Sequence, residues 1–339
     1  MGTQPNAFII AEAGVNHNGS LDLALELVSA AKACGADAVK FQTFRASELV
    51  TRTAEKAAYQ RTPGTGDDSQ YAMLAALELD LDAWRRIQAH CREVGIEFLS
   101  SPFDEHAVDV LDELGVRVFK VPSGEITNLP YLEHLGAKGR PVILSTGMAW
   151  LGEVETAVRT LHGAGVHDLT LLHCVTEYPA PPEQINLRAM ATLATAFGLP
   201  VGYSDHTAGI EIAVAAVALG ATVIEKHFTL DTRMPGPDHS ASLDPTSFTA
   251  MVTAIRSVEL ALGDGRKRPA PCELANLTVV RKSVVAARDL RAGERLERGD
   301  VTLKRPGSGI APHELEHVVG RHAARDIAAD EMIGWRDLT

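Results

Sequence analysis

Two histidines, His206 and His227, each stand where a short apolar run gives way to polar residues, and an Ala/Val-rich segment of helical spacing lies between them. If the runs are strands and the middle is a helix, the imidazoles stand at the same end of neighbouring parallel strands, where they can share a divalent metal. The alternative is a pair of strand-end histidines making local hydrogen bonds, since two ligands are fewer than most protein metal sites supply. Lys40, in AVKFQ, and Lys120, in VFKVP, lie inside apolar runs. A lysine there must find an anion, because an unpaired buried ammonium is costly. That anion is either a bound ligand or an internal carboxylate. Ser100, Ser101, Ser123, Ser145 and Ser204 sit at the ends of similar runs. Hydroxyls beside lysines suit a phosphate and a carboxylate carried on one small ligand. Glu125 follows an SG turn. A carboxylate there is a general acid or base if it faces the metal and the anion, and otherwise an exposed loop residue. Glu12, Gln42, Thr176 and Tyr178 end or follow further runs, with Gln42 and Tyr178 able to bind substrate hydroxyls or simply to pack. Lys226 neighbours His227 and can point outward, since strand faces alternate.

These positions become a site only if the fold gathers them. Apolar runs at Phe8–Gly14, Ala38–Phe44, Glu97–Phe103, Val118–Gly124, Val142–Met148, Leu169–Val175, Val201–His206 and Val223–Leu230 read as eight strands. Helical spacing between them, as in Leu21–Cys34 and Leu81–Val94, is repeatedly stopped by glycine, and a last helix covers Phe248–Leu262. A long polar stretch, through Thr62–Ser69, follows the second strand. Eight such units in this length predict a (β/α)8 TIM barrel over 1–262, rather than a doubly wound sheet, with the site at the strand C-terminal ends. GDGRKRPAP opens a linker over 263–280. The remainder, 281–339, predicts a small β-rich domain with strands at Ser283–Ala287 and Val301–Lys304 and a helical turn within His313–Val319. Alone it could bury little surface, so docking on a barrel or a second chain is expected.

Composition narrows the function classes. A formal net charge of −12 argues against a general nucleic-acid or anionic-membrane binder, although a few local cations can still hold an anionic ligand. Cys34, Cys91, Cys174 and Cys272 lack CxxC spacing and read as reduced thiols of a cytoplasmic protein. The first residues, MGTQPNAFIIAEAG, give no expectation of a signal peptide, and without an apolar run of about twenty residues no spanning helix is expected.

In order along the chain, IIAEAGVNHNGS, DAVKFQTF, FKVPSGE, ILSTGM, GYSDHT, IEKHFTL and PGPDHSASLDP resemble the sialic acid synthase family, the NeuB-like enzymes. The tail RKSVVAARDLRAGERLERGDVTLKRPGSGI resembles their C-terminal SAF domain, which is similar to type III antifreeze protein. The resemblance runs from about Phe8 to Asp337. It implies a transferase that condenses phosphoenolpyruvate with the open-chain aldehyde of an N-acetylated hexosamine and releases phosphate. It also implies a divalent cation, Mn2+ or Mg2+, and a homodimer in which the SAF domain of one chain reaches over the barrel mouth of the other. Carried over, His206 and His227 would hold the metal, and Glu125 would transfer the proton. Lys40, Ser101, Lys120, Ser123, Ser145, Thr176 and Ser204 would bind phosphoenolpyruvate, Thr176 standing where relatives often carry Asn or Ser. Glu12, Gln42, Tyr178 and Asp238 would face the sugar, and Arg305 would enter the partner's site. The acceptor would be N-acetylmannosamine, giving N-acetylneuraminate, or a 2,4-diacetamido-trideoxy-mannose, giving legionaminate. The pseudaminate type and a 6-phosphorylated sugar rank behind them. A sugar- or phosphate-binding barrel without catalysis is the reading of a different class.

Overall fold

The computed structural model of the chain describes residues 6–56 and 69–339. Of the polar stretch Thr62–Ser69, all but Ser69 lie outside the described residues. The chain divides into two units, one ending at Asp264 and the other running from Gly265 to Thr339.

Eight parallel strands form the frame of the first unit: β1 Phe8–Gly14, β2 Ala38–Thr43, β3 Glu97–Pro102, β4 Phe119–Val121, β5 Val142–Ser145, β6 Leu169–Cys174, β7 Val201–Asp205 and β8 Val223–His227. The ladder order is β3-β2-β1-β8-β7-β6-β5-β4. The end strands β3 and β4 lie side by side, so the sheet curls into the expected barrel. Seven of the eight strands are shorter than expected, four by a single residue and three by three or more. β4 stops at Val121 because Pro122 cannot donate to the ladder and Ser123–Glu125 coil into one 3-10 turn. β5 ends at Ser145 before a turn, and β8 ends at His227.

Two-residue alternation along these strands decides what the barrel encloses. Ile10, Ala38, Leu99, Ile143, Leu172 and Val223 point inward as an apolar layer, with Phe8 and Val118 against it. Two residues further along the same strands come Glu12, Lys40, Ser101, Ser145, Cys174 and Glu225, and Lys120 follows Val118 by the same step. These seven strands therefore pass from an apolar layer into a polar one toward their C-terminal ends. The opposite faces carry residues such as Ile9, Val39, Phe41, Leu144 and Tyr203, which pack under the helices in the large outer core.

Several of the helices begin on side-chain caps. Ser20 caps α1 (Leu21–Ala33). Two short helices, α2 (Ala46–Leu49) and α3 (Gln70–Ala75), lie after β2, where only a polar stretch was expected. Asp80 caps α4 (Leu81–Val94), which ends on Gly95 in the left-handed region. The second unit pairs β9 (Ser283–Ala286) with β10 (Val301–Lys304) in antiparallel register. It has an apolar core of its own, including Val284, Leu296, Val301, Val318, Ile327 and Ile333. The expected linker contains a helix, Leu274–Val280. Among the described residues no helix is long and apolar enough to cross a membrane.

Candidate active site

At the C-terminal end of the barrel a cavity of about 420 Å³ opens above the polar layer. Its lining includes Glu12, Lys40, Gln42, Ser101, Lys120, Ser123, Glu125, Ser145, Thr176, Tyr178, Ser204, His206, His227 and Asp238. These are all the expected site residues of the first unit, contributed by strand ends and loops around the barrel. Arg305 lies on the second unit, exposed, with its Nε donating to the Val280 carbonyl at 2.8 Å.

The floor is an ion-pair cluster. Lys40 Nζ lies 2.7 Å from Glu12 Oε2 and 3.8 Å from Glu225 Oε2. Lys120 Nζ lies 3.6 Å from the same Glu225 oxygen. Lys40 also donates to Ser101 Oγ at 3.0 Å, and Lys120 to Ser145 Oγ at 2.8 Å. Ser204 Oγ donates to Glu225 Oε1 at 2.9 Å. The two buried lysines thus meet the internal carboxylates that the sequence left open as an alternative, while both still face the cavity. Burial works against both ammonium groups. Glu12 and Glu225 outweigh it at Lys40 and raise that group, whereas Glu225 offsets it only in part at Lys120, which is lowered. Glu225 is itself held down to about 2: burial opposes this, and Lys120 and Lys40 overcome it. Burial raises Glu12 against the pull of Lys40.

Glu225 and Cys174 are lining residues that the sequence reading passed over. The signal for Glu225 was present, because it precedes His227 by two and must share its face. Lys226 faces outward, pairing with Asp205 Oδ2 at 2.8 Å, so Asp205 also leaves the site although its neighbours Ser204 and His206 line it.

His206 and His227 lie with ring centroids 5.4 Å apart. His206 Nδ1 donates to the Val175 carbonyl at 2.7 Å, so that in the neutral ring Nε2 carries the lone pair. Burial disfavours the His206 imidazolium, but the Cys174 sulfur 3.7 Å away outweighs this and raises the group. Burial, with His206 next, holds His227 well below its ordinary value, so its imidazole is neutral. Its Nδ1 is buried without a hydrogen-bond partner, and Asp238 Oδ2 is 4.0 Å away. A neutral imidazole with an unsatisfied nitrogen beside a second ring and a carboxylate suits a divalent cation. Among the described residues no three His, Cys, Asp or Glu side chains cluster as a complete ligand set.

Loops hold the remaining groups. The Asn16 amide donates to the Phe228 carbonyl at 2.9 Å and to Ser242 Oγ at 3.0 Å, and Ser242 Oγ donates to the Asp238 carbonyl at 2.6 Å. The loop after β1 thereby fixes the loop that carries Asp238, whose carboxyl burial pushes up to about 7, with Glu12 adding to the rise. Gly147 donates its N–H to Ser123 Oγ at 3.0 Å, and a Cβ there would clash with both Ser123 and Thr176. Tyr178 stacks on His206 with centroids 4.1 Å apart. Half-buried Glu125 accepts from the Asn128 amide at 2.7 Å, and burial raises its carboxyl.

Comparison with known proteins agrees with this arrangement. Residues 27–267 match the NeuB family, and residues 281–339 match the SAF domain. The chain is 51% identical to the N,N'-diacetyllegionaminic acid synthase of Campylobacter jejuni, over 96% of this chain and 98% of that protein. It is 49% identical to the protein of the same name from Legionella pneumophila, over 99% of this chain and 96% of that one. A solved N-acetylneuraminic acid synthetase from Leptospira borgpetersenii superposes with a TM-score of 0.71 at 34% identity, covering 81% of this chain and 91% of that one. With its lysine-lined barrel mouth and its C-terminal SAF domain, the chain belongs to the NeuB family.

Proposed function

We propose that this chain condenses phosphoenolpyruvate with the aldehyde of a 2,4-diacetamido-trideoxy sugar and water, giving a legionaminate-type 2-keto acid and phosphate. The observation that carries the chemistry is the pair of buried lysines, each hydrogen-bonded to a serine, on the floor of a cavity that also holds two adjacent histidines. The acceptor follows the names of the relatives in Campylobacter and Legionella. N-acetylmannosamine is the second reading, favoured by the Leptospira structure.

In this reading Lys40 and Lys120, with Ser101, Ser123, Ser145, Thr176 and Ser204, hold the phosphate and carboxylate of phosphoenolpyruvate. His206 and His227 would hold Mn2+ or Mg2+, which supplies Lewis-acid polarisation of the aldehyde oxygen. Glu12, Gln42, Tyr178 and Asp238 orient the sugar. C3 of phosphoenolpyruvate bonds to the aldehyde carbon, and Glu125 gives the former aldehyde oxygen its proton. Water adds at C2 and returns a proton to Glu125, and phosphate leaves by C–O cleavage as the C2 hydroxyl becomes the ketone and its proton departs with the phosphate. Burial, which raises the Glu125 carboxyl, suits a group that must carry that proton. A homodimer in which the SAF domain of one chain brings Arg305 to the barrel of the other belongs to the same reading. It is supported by the exposed Arg305 and by the exposed apolar residues Leu274, Val279 and Val280 on the Leu274–Val280 helix.

The test is phosphate release from phosphoenolpyruvate with Mn2+ and a panel of amino sugars. Release with the diacetamido sugar, with a nine-carbon product by mass and loss of activity on chelation, is the expected result. No release with any sugar would leave the binding-only barrel as the better reading.

Gly147 offers a narrower check. Gly147→Ala should force Ser123 and Thr176 apart. The KM for phosphoenolpyruvate should rise roughly tenfold, the cost of one displaced hydrogen-bonding partner to a charged group. The KM for the sugar should move much less. Equal rises for both substrates would mean that Gly147 shapes the loop generally, not the phosphate site.

A further inference from the structure

Two surfaces of opposite character meet in the cavity. One is the polar layer described above. The other is apolar: Val15, Phe44, Leu49, Val50, Leu74 and Leu77 line the same cavity and form one packed cluster. It is built by the segment after β2, with α2 and α3 supplying Leu49 and Leu74. Its position relative to the polar groups is fixed by the chain. Gln42 donates to Glu12 Oε1 at 3.0 Å, and Phe44 follows Gln42 by two residues. The backbone of Gly14 is wedged among Glu12, Gln42 and Asp238, which a Cβ there would meet at 3.2, 3.3 and 3.5 Å, and Val15 is the next residue. The apolar wall therefore begins directly beyond the carboxylates and amide assigned to the sugar. Among the described lining residues the lysines and arginines are Lys40 and Lys120 alone, and both are engaged at the floor.

We propose that this wall receives the deoxygenated end of the acceptor, its C6 methyl together with an acetamido methyl, and selects a 2,4-diacetamido-trideoxy sugar over N-acetylmannosamine and over a 6-phosphate. The assignment rests on the proposed condensation and adds the residues that choose its substrate. A methyl buried here is worth roughly fourfold in affinity. Among the described residues the six apolar side chains of the wall offer a sugar hydroxyl no partner, Gln70 being the polar lining residue beside them, and a phosphate dianion meets no lysine or arginine beyond the two at the floor. One methylene in an apolar pocket discriminates about 10- to 200-fold, which sets the scale expected.

The experiment measures kcat/KM for three sugars on one preparation, so that their ratio is independent of the fraction folded. The sugars are 2,4-diacetamido-trideoxy-mannose, N-acetylmannosamine and N-acetylmannosamine 6-phosphate. The wild-type protein should favour the first over the second by about tenfold or more. Leu49→Asn and Val50→Asn, at half-buried positions of the wall, should each shrink that ratio at least about fivefold. Leu49→Lys should shift preference toward the 6-phosphate. Activity on the first sugar with ratios unchanged in all three variants would overturn the wall while leaving the condensation intact. A wild-type preference for either other sugar would also overturn the wall. No phosphate release with any sugar would instead bring down the condensation, and the wall with it.

Discussion

Glu125→Gln is expected to lower kcat by roughly 10²- to 10⁴-fold, the usual contribution of one positioned proton-transfer group, while the KM for phosphoenolpyruvate changes only a few-fold. Glutamine keeps the size and the hydrogen bond from Asn128 but carries no transferable proton. The pH profile gives an independent readout. Burial raises the Glu125 carboxyl, the Asn128 amide lowers it, and Asp104 raises it. A carboxyl that must donate is active below its pKa, so kcat should fall as pH rises through that elevated value. Asn128→Ala removes the lowering bond and should move the fall to higher pH. Turnover in Glu125→Gln within tenfold of wild type would take this residue out of the proton path.

The second large effect is on stability. Glu225→Gln should destabilise the barrel by about 3 kcal/mol at neutral pH, because removing one partner of a buried ion pair strands the other. Among the described residues Glu225 is the carboxylate within 4 Å of Lys120, whereas Lys40 keeps Glu12. Glu225 titrates at about 2 in the folded chain against an ordinary 4.5. Its contribution is therefore complete above the unfolded value and fades as pH falls through that window. The difference between wild type and variant should shrink in acid by the same course. Inorganic phosphate should stabilise the variant more than the wild type, since it meets Lys120 without a competing carboxylate. Denaturation midpoints that coincide at neutral pH would show that the cluster is a bystander.

The barrel was legible because each strand announces itself twice, by an apolar run and by a change to polar residues at its end. His206 and the serines lie at that change and Lys40 and Lys120 stand inside the runs that lead to it, so the strand pattern and the chemical pattern coincide. Glu225 is less legible because it precedes the two residues that end the strand, although its spacing from His227 places it inside. The apolar wall was harder to see. α2 has four residues and α3 has six, too short for a 3.6-residue period to emerge, and they flank a polar stretch. Their apolar side chains gain meaning only from the strand ends they lean over. The small unit was expected to bury little surface alone, as short strands by themselves would. Turns and isolated bridges, such as Leu290 with Ile327 and Arg295 with His322, bring distant aliphatic residues together instead.

The ion pairs on the floor also bear on how a ligand is admitted. Two ammonium groups face two carboxylates before any substrate arrives, in a chain of formal net charge −12. Such a mouth casts little attraction beyond a Debye length and does not gather anions from solution. On the proposed reading, phosphoenolpyruvate enters by exchange, taking the lysines from Glu12 and Glu225 at close range. A ligand without enough negative charge cannot make that exchange, and one that does finds the serine hydroxyls already in place. On that same reading the barrel floor acts as a gate keyed to charge density rather than as a lure, and discrimination begins before any bond to carbon changes.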